Sequence, residues 1–258
     1  MLFDTHTHCD YSQDSSMKIY EAIRAARRAN VGMIVTEHWD YDYPTNPYAF
    51  LFDIDDYFEK FAVYRSDEVL LGIEIGMQKH IAAKDDALVK AHPFDCVIAS
   101  MHCVNGRDLY EPNSYRDLTK EQALREFLED SIANLRLYSD FDIFGHIDYI
   151  SRYMPYEDQE LYYHEFPDLW DELFSQVIEG GKVLEINTRR LDSPKAVETL
   201  TVLYQRYQKL GGRYISLGSD AHYKEHIGRR LTVGKKIADA SSLIPVYFKN
   251  RKMIIMEE

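Results

Sequence analysis

The chain has 258 residues, 45% of them hydrophobic, which is enough apolar material for one large α/β domain over residues 1–258. Its formal net charge of −13, from 43 acidic and 30 basic residues, argues against binding to nucleic acid or to anionic membranes. The sequence shows no secretory signal and no apolar run long enough to cross a bilayer, so a cytoplasmic location is expected. The three cysteines have no Cys-x-x-Cys spacing, and we interpret them as packing residues.

The hydrophobic pattern predicts a strand, a loop and a helix in repeated succession. Helix boundaries are indicated by a Ser15-Ser16 cap, a Thr119/Gln122 capping box and a Ser193-Pro194 start. A short apolar tail over 246–256 closes the chain. Seven strands are expected, at 2–8, 32–36, 69–73, 94–100, 141–144, 182–186 and 214–217. Such a succession favours a parallel sheet, either closed as a barrel or open and doubly wound.

Polar side chains follow six of these strands at the point where each strand ends. His6 and His8 are two positions apart, so they point to the same side of the first strand. The later strands end in His38, Glu74, His102, His146 and the pair Asp220/His222, while the remaining strand ends in Asn187. In a closed barrel these ends converge on one rim, whereas an open sheet would separate them. The chemistry therefore favours the barrel.

The residues at this rim are histidines and carboxylates, without cysteine. Mixed nitrogen and oxygen ligands suit Zn, Mn or Fe rather than a structural zinc site. A carboxylate can bridge two ions, so Glu74 is the expected bridging ligand. Ions held close together lower the pKa of a shared water and bind phosphoryl oxygens, which predicts hydrolysis of a phosphate ester. Four other histidines do not follow strands and are interpreted as loop or surface residues: His80, His92, His164 and His226.

These motifs resemble those of the PHP (polymerase and histidinol phosphatase) superfamily over nearly the whole chain: His6-Thr7-His8, Glu37-His38, Glu74, Met101-His102, Gly145-His146 and Ser219-Asp220-Ala221-His222. The resemblance implies a distorted TIM-like (β/α)7 barrel with two or three divalent ions at the carboxyl ends of the strands. By position it implies a first ion on His6, His8, Glu74 and Asp220, a second on Glu74, His102 and His146, and a third on Asp14, His38 and His222. Asp14 stands where many relatives carry histidine.

Within the superfamily the chain is most similar to monofunctional histidinol-phosphate phosphatases. The segments 145–153, 184–188 and 210–222 carry this similarity. It implies that a metal-bridging hydroxide hydrolyses L-histidinol phosphate in histidine biosynthesis. Glu74, His102, Asp220 and His222 are then the catalytic candidates, and Arg152 with Arg189 or Arg190 would bind phosphate oxygens.

Candidates for contacts with the alcohol part of the substrate lie in the loops: Asp40, Tyr43, Tyr110, Glu111, Tyr153 and Tyr156. Two alternatives stay open. One is a phosphoesterase of the same family that acts on nucleotides or other small phosphate esters. The other is an inactive metal-binding regulatory module.

Overall fold

The computed structural model describes residues 1–256. The strands, in chain order, are β1 (Phe3–Thr7), β2 (Gly32–Trp39), β3 (Val69–Gly76), β4 (Val97–Ser100), β5 (Cys103–Val104), β6 (Arg107–Asp108), β7 (Ile143–Phe144), β8 (Val183–Asn187), β9 (Tyr214–Gly218), β10 (Ile244–Lys249) and β11 (Lys252–Ile255). The helices are α1 (Ile19–Ala29), α2 (Ile54–Phe61), α3 (Ala82–Ala91), α4 (Lys120–Leu135), α5 (Pro167–Glu179), α6 (Pro194–Lys209) and α7 (Leu231–Ala240). No helix in this part of the chain is both long enough and apolar enough to cross a membrane.

Seven strands form a parallel sheet in the order β1-β2-β3-β4-β7-β8-β9, with β10 and β11 added beyond β9. The expected α/β fold with seven parallel strands is therefore confirmed. Between β1 and β9 the structure shows a short seam rather than a regular ladder. The backbone N–H of His8 donates to the carbonyl of Ala221 (2.8 Å), and that of Asp220 donates to the carbonyl of His6 (2.8 Å). This seam brings the first and last parallel strands together at their carboxyl ends.

The C-terminal hairpin β10–β11 was not expected from the sequence, which indicated only an apolar tail. Its turn consists of Asn250 and Arg251, both with positive φ (50° and 61°). The Arg251 guanidinium donates to Asp142 (2.6 Å), and its backbone N–H donates to the carbonyl of Asp95 (2.9 Å). Asp95 and Asp142 precede β4 and β7, so the hairpin is fastened to the amino-terminal ends of the strands, opposite the polar rim.

Two of the three predicted helix starts are confirmed. Thr119 and Gln122 form the capping box of α4, and the Ser193 side chain caps α6 with Pro194 in the first turn. The predicted Ser15-Ser16 cap is wrong, because α1 begins at Ile19 and its N-cap position is Lys18. The Ser15 hydroxyl instead lies 3.2 Å and 3.1 Å from the carbonyl oxygens of the two loop histidines at positions 8 and 222. It joins the loops after β1 and β9 because it binds both backbones.

The interior is one continuous apolar core between the parallel sheet and the surrounding helices. Cys9, Cys96 and Cys103 are all buried and unbridged, as expected for packing residues. Buried polar and charged residues also gather at the carboxyl ends of the strands.

Candidate metal centre and its cavity

The structure brings all nine predicted ligands together at the carboxyl ends of the strands, and Glu74 lies at their centre. Its side chain is fully buried near the end of β3. Five imidazole nitrogens surround its two carboxylate oxygens: His38 Nδ1 at 2.8 Å, His146 Nε2 at 2.9 Å, His6 Nε2 at 3.2 Å, His102 Nε2 at 3.3 Å and His8 Nε2 at 3.5 Å. These histidines come from four different strands or the loops that follow them, since His6 and His8 share β1, so the packing of distant segments assembles the cluster.

The remaining ligands, Asp220, Asp14 and His222, extend the cluster on one side. Asp220 Oδ1 lies 3.5 Å from His8 Nε2 and 3.9 Å from His6 Nε2. Asp14 Oδ2 lies 3.1 Å from His222 Nε2, and 45% of the Asp14 side chain is exposed. The cluster is thus buried around Glu74 and open to solvent at Asp14.

The donor atoms fit a group of metal ions. Several are buried and, although close to one another, meet no partner in hydrogen-bond geometry among residues 1–256: Nε2 of His6, His8 and His102, Nδ1 of His38, and Oε2 of Glu74. Sets of three such ligands lie within 4.8 Å of one another, namely His6/His8/Glu74, His38/Glu74/His102, His6/His146/Asp220 and His8/His38/His222. Buried polar atoms without partners are costly unless something binds them, and imidazole with carboxylate suits Zn, Mn or Fe.

The electrostatics of the cluster also favour cations. Burial disfavours charge on the histidines, yet the carboxylate of Glu74 raises the pKa of His6 and of His38 well above the usual value. Burial also lowers the pKa of His102, but the carboxylates of Asp40 and Glu74 outweigh this effect and raise the pKa to about 9. Burial opposes the ionised form of Glu74, but the surrounding histidines hold its pKa well below its usual range. Protons and metal ions therefore compete for the same nitrogen atoms.

Residues outside the nine candidate ligands orient the ligand histidines from behind, and only Asp40 among them had been assigned to the site, as a candidate contact for the substrate. Asp40 binds His102 Nδ1 (2.8 Å), and fully buried Glu185 binds His6 Nδ1 (2.7 Å). Ser12 binds His8 Nδ1 (3.1 Å) and donates its hydroxyl proton to Glu37. Each bond leaves the Nε2 of its histidine directed at the cluster, as in metal sites whose ligands are held by outer carboxylates. Strand alternation could have identified Glu185, since it lies on the same face of β8 as Asn187.

A cavity of about 560 Å³ opens above the cluster, and two of the three predicted arginines line it. The Arg152 side chain is largely buried, its Nη1 lies 2.5 Å from Asp220 Oδ2, and its Nε and Nη2 have no partner among residues 1–256. Arg189 lies 3.6 Å from the same oxygen and is 42% exposed. Arg190 is not among the cavity-lining residues, and its guanidinium donates to Glu160 (2.8 Å). The structure thus favours Arg189 over Arg190 for contact with a ligand.

Four of the six candidates for contacts with the alcohol line the same cavity: Tyr43, Tyr110, Glu111 and Tyr153. Asp40 and Tyr156 do not line it. Asp40 is occupied by His102, and the Tyr156 hydroxyl donates to the carbonyl of Leu118 (2.8 Å). The four histidines set aside in the sequence, at positions 80, 92, 164 and 226, also lie outside the cavity lining.

Comparisons with known proteins agree with this geometry. A model of the PHP domain family matches residues 4–189. The chain is 44% identical to a protein of Clostridium acetobutylicum named "Probable histidinol-phosphatase", over 98% of this chain and 99% of the relative. It is 29% identical to the histidinol-phosphatase of Lactococcus lactis subsp. lactis, over 85% of this chain and 83% of the relative.

A solved structure of histidinol phosphate phosphatase from Lactococcus lactis subsp. lactis, complexed with Zn, L-histidinol and phosphate, superposes with a TM-score of 0.92. The sequence identity is 26%, and the superposition covers 98% of both chains. The family match includes seven of the nine ligand candidates, and the folded structure adds Asp220 and His222 from the loop after β9. The chain belongs to the PHP domain family.

Proposed function

We propose that the chain is a metal-dependent histidinol-phosphatase, which hydrolyses L-histidinol phosphate to L-histidinol and phosphate. The observation that carries this proposal is the cluster of five histidine nitrogens around Glu74 at the base of a cavity lined by Arg152 and Arg189. The full-length similarity to proteins named histidinol-phosphatase supports the substrate. The solved structure with L-histidinol and phosphate shows that the same fold accommodates both products.

The centre would hold two or three divalent ions, and we adopt the assignment that the family resemblance implies, which short distances between members of each set support. One ion would take His6, His8, Glu74 and Asp220; another Glu74, His102 and His146; and a third Asp14, His38 and His222. The solved relative contains zinc, while manganese and iron fit the same donors. Bound ions of this kind activate water at neutral pH and stabilise charge on phosphoryl oxygens.

The residues of the chain bind and orient the substrate and hold the ligands in place. Arg152 and Arg189 bind phosphate oxygens, since both reach the cavity beside Asp220. Glu74, His102, Asp220 and His222 act as catalytic residues through the ions they hold. His102→Ala or Asp220→Ala should therefore abolish hydrolysis while the fold is retained.

The far wall of the cavity suits the alcohol part of a cationic substrate. Tyr149, Tyr153 and Tyr110 form a continuous row of ring contacts, with centroids 5.1 Å apart at each step, that leads away from the histidines. Glu111 lines the same cavity. Aromatic faces and a carboxylate attract an ammonium or imidazolium group. Neither nucleic acid nor a membrane is a proposed partner, and the cytoplasmic location stays a prediction.

The test is phosphate release from purified protein loaded with Mn or Zn. The substrates are L-histidinol phosphate, nucleoside monophosphates and p-nitrophenyl phosphate. The proposal expects a strong preference for histidinol phosphate in kcat/KM. Activity that favours nucleotides would retain the metal site and overturn the substrate. A fully metal-loaded protein with no activity on any of them would instead support a regulatory module.

A further inference from the structure

Glu185 lies outside the nine ligands, yet its carboxylate contacts two of them. It is on β8, fully buried, and one oxygen accepts a hydrogen bond from His6 Nδ1 at 2.7 Å. The other oxygen accepts one from the backbone N–H of His146 at 2.7 Å. In the proposed assignment His6 and His146 serve different ions. One side chain therefore fixes a ligand of each.

The path from Glu185 to His6 depends on a glycine. β8 neighbours β7 and β9, whereas His6 is on β1, beyond β9. The carboxylate reaches His6 across Gly218 at the end of β9. A Cβ atom at Gly218 would lie 2.1 Å from Glu185 Oε1 and 2.5 Å from His6 Cβ. The glycine is required here by space, since its φ is not in the left-handed region.

Neighbours of Glu185 hold it in this position. Asn187 Nδ2 donates to its second oxygen at 3.1 Å, and the Tyr204 hydroxyl donates to its backbone carbonyl. Asn187 Oδ1 also accepts from the backbone N–H of Arg189 at 3.0 Å. Asn187, which the sequence placed at a strand end, thus connects Glu185 with the loop that carries a phosphate-binding arginine.

We propose that Glu185, given room by Gly218, is a positioning residue that sets the metal affinity of the centre. Its hydrogen bond keeps the proton of His6 on Nδ1, so that Nε2 is directed at Glu74, 3.2 Å away. A carboxylate bonded to a ligand imidazole also makes the imidazole a stronger donor to metal. The inference rests on the metal centre of the proposed function and is independent of the substrate.

Glu185→Gln tests the proposal because it keeps the shape and removes the charge. Both Glu185 oxygens accept hydrogen bonds, so the NH2 group of a glutamine would point at another donor in either orientation. That donor would be the His6 Nδ1–H in one orientation, and the N–H groups of His146 and Asn187 in the other. We expect a roughly 10- to 100-fold loss of zinc affinity, measured by competition with a chromophoric chelator. We also expect a changed visible spectrum of the cobalt-substituted protein. Asp142→Asn is the control, because Asp142 is a buried carboxylate that accepts a backbone N–H at the amino-terminal ends of the strands, away from the cluster. It should retain wild-type affinity and spectrum.

Gly218→Ala provides a second variant, whose new Cβ would crowd Glu185 and His6 where they meet. It should weaken zinc binding like Glu185→Gln, and the double variant should be little worse than either, because both remove the same contact. If either variant does not fold, Asn187→Ala removes one bond to Glu185 and should give a smaller loss of affinity in the same assay. Folded variants with wild-type zinc affinity and an unchanged cobalt spectrum would overturn the proposal. Wild-type protein that binds zinc but does not release phosphate from histidinol phosphate would overturn only the proposed function.

Discussion

Arg152 offers the sharpest test of how the cavity binds phosphate. The side chain is 6% exposed, and Nη1 is paired with Asp220 Oδ2 at 2.5 Å. Its Nε and Nη2 are buried without a partner among residues 1–256, and the residue lines the cavity. Two donors in a fixed plane match two oxygens of a phosphate group. Arg152→Lys keeps the charge beside Asp220 but removes this planar pair of donors.

The size of the effect follows from the two free donors. A hydrogen bond to a charged group contributes about 1.5–3 kcal/mol, so loss of both costs about 3–6 kcal/mol. Each tenfold change in rate corresponds to about 1.4 kcal/mol, which gives a decrease in kcat/KM of about 10²- to 10⁴-fold. Lysine can restore one bond, so the lower end of this range is expected for Arg152→Lys. An Arg152→Gln variant, which also removes the nearer of the two cations beside Asp220, should approach the upper end.

The assay compares kcat/KM for L-histidinol phosphate and the inhibition constant of inorganic phosphate at saturating metal. Arg190→Lys is the matched control, because Arg190 is bonded to Glu160 and does not line the cavity. Arg190→Lys should lower the stability of the fold, because it weakens the contact with Glu160, and should leave kcat/KM and the inhibition constant of phosphate near the wild-type values. If Arg152→Lys stays folded and metal-loaded and its kcat/KM falls less than threefold, then the guanidinium does not bind phosphate as argued.

Three further predictions concern the metal centre and the fold. Glu74→Gln should lose most bound metal on dialysis, because its carboxylate lies within 3.5 Å of five histidine nitrogens; wild-type metal content would contradict this. Gly145→Ala should weaken metal binding about tenfold, since the new Cβ would lie 2.3 Å from Ser100 Oγ, which donates to Glu74; an unchanged chelator titration would refute it. Burial raises the pKa of Asp85 from 3.8 to about 8, so the unfolded chain releases this proton first and stability falls as pH rises from about 4 to about 8. Asp85→Asn, which keeps an acceptor for Tyr138, should remove that component in urea unfolding of metal-free protein, and parallel pH curves for the two proteins would contradict it.

Eight of the nine candidate ligands could be predicted from the sequence because each lies at the end of a strand of clear hydrophobic pattern, whereas Asp14 was implied only by the family resemblance. The alternation of a strand places His6 and His8 on one side, and parallel strands bring their carboxyl ends to one rim. Because β3 lies between β2 and β4, the order of the strands alone predicts that residues at the ends of these neighbouring strands lie near Glu74. The same reasoning predicted a position for His146 at this rim, and the structure places it 2.9 Å from Glu74 although β7 has only two residues.

The residues that the sequence did not reveal act through contacts across several strands. Glu185 reaches His6 only because Gly218 lacks a side chain, and no local pattern encodes that path. Arg189 and Arg190 are adjacent, so composition cannot distinguish the one at the cavity from the one bonded to Glu160. The C-terminal hairpin was missed for a different reason. Its two turn residues have positive φ although neither is glycine, so the usual sequence signal of a hairpin turn is absent. The apolar residues on either side are equally compatible with an irregular C-terminal tail.

The charges around the cavity connect metal loading with phosphate binding. Two arginines line it against four carboxylates, those of Asp14, Asp108, Glu111 and Asp220, and Glu74 lies beneath them. A phosphate ester carries negative charge, so these side chains alone would repel it. Around Glu74 the pKa is raised at His6, His38 and His102 despite their burial, whereas burial lowers the pKa of His8 and His146, so carboxylates attract positive charge to part of the base of the cavity. Each divalent ion adds two positive charges there, so residues that hold the ions also determine whether the acidic cavity accepts an anion. Affinity for phosphate should therefore follow metal affinity in every variant of the cluster, including Glu185→Gln, although that side chain never meets the substrate.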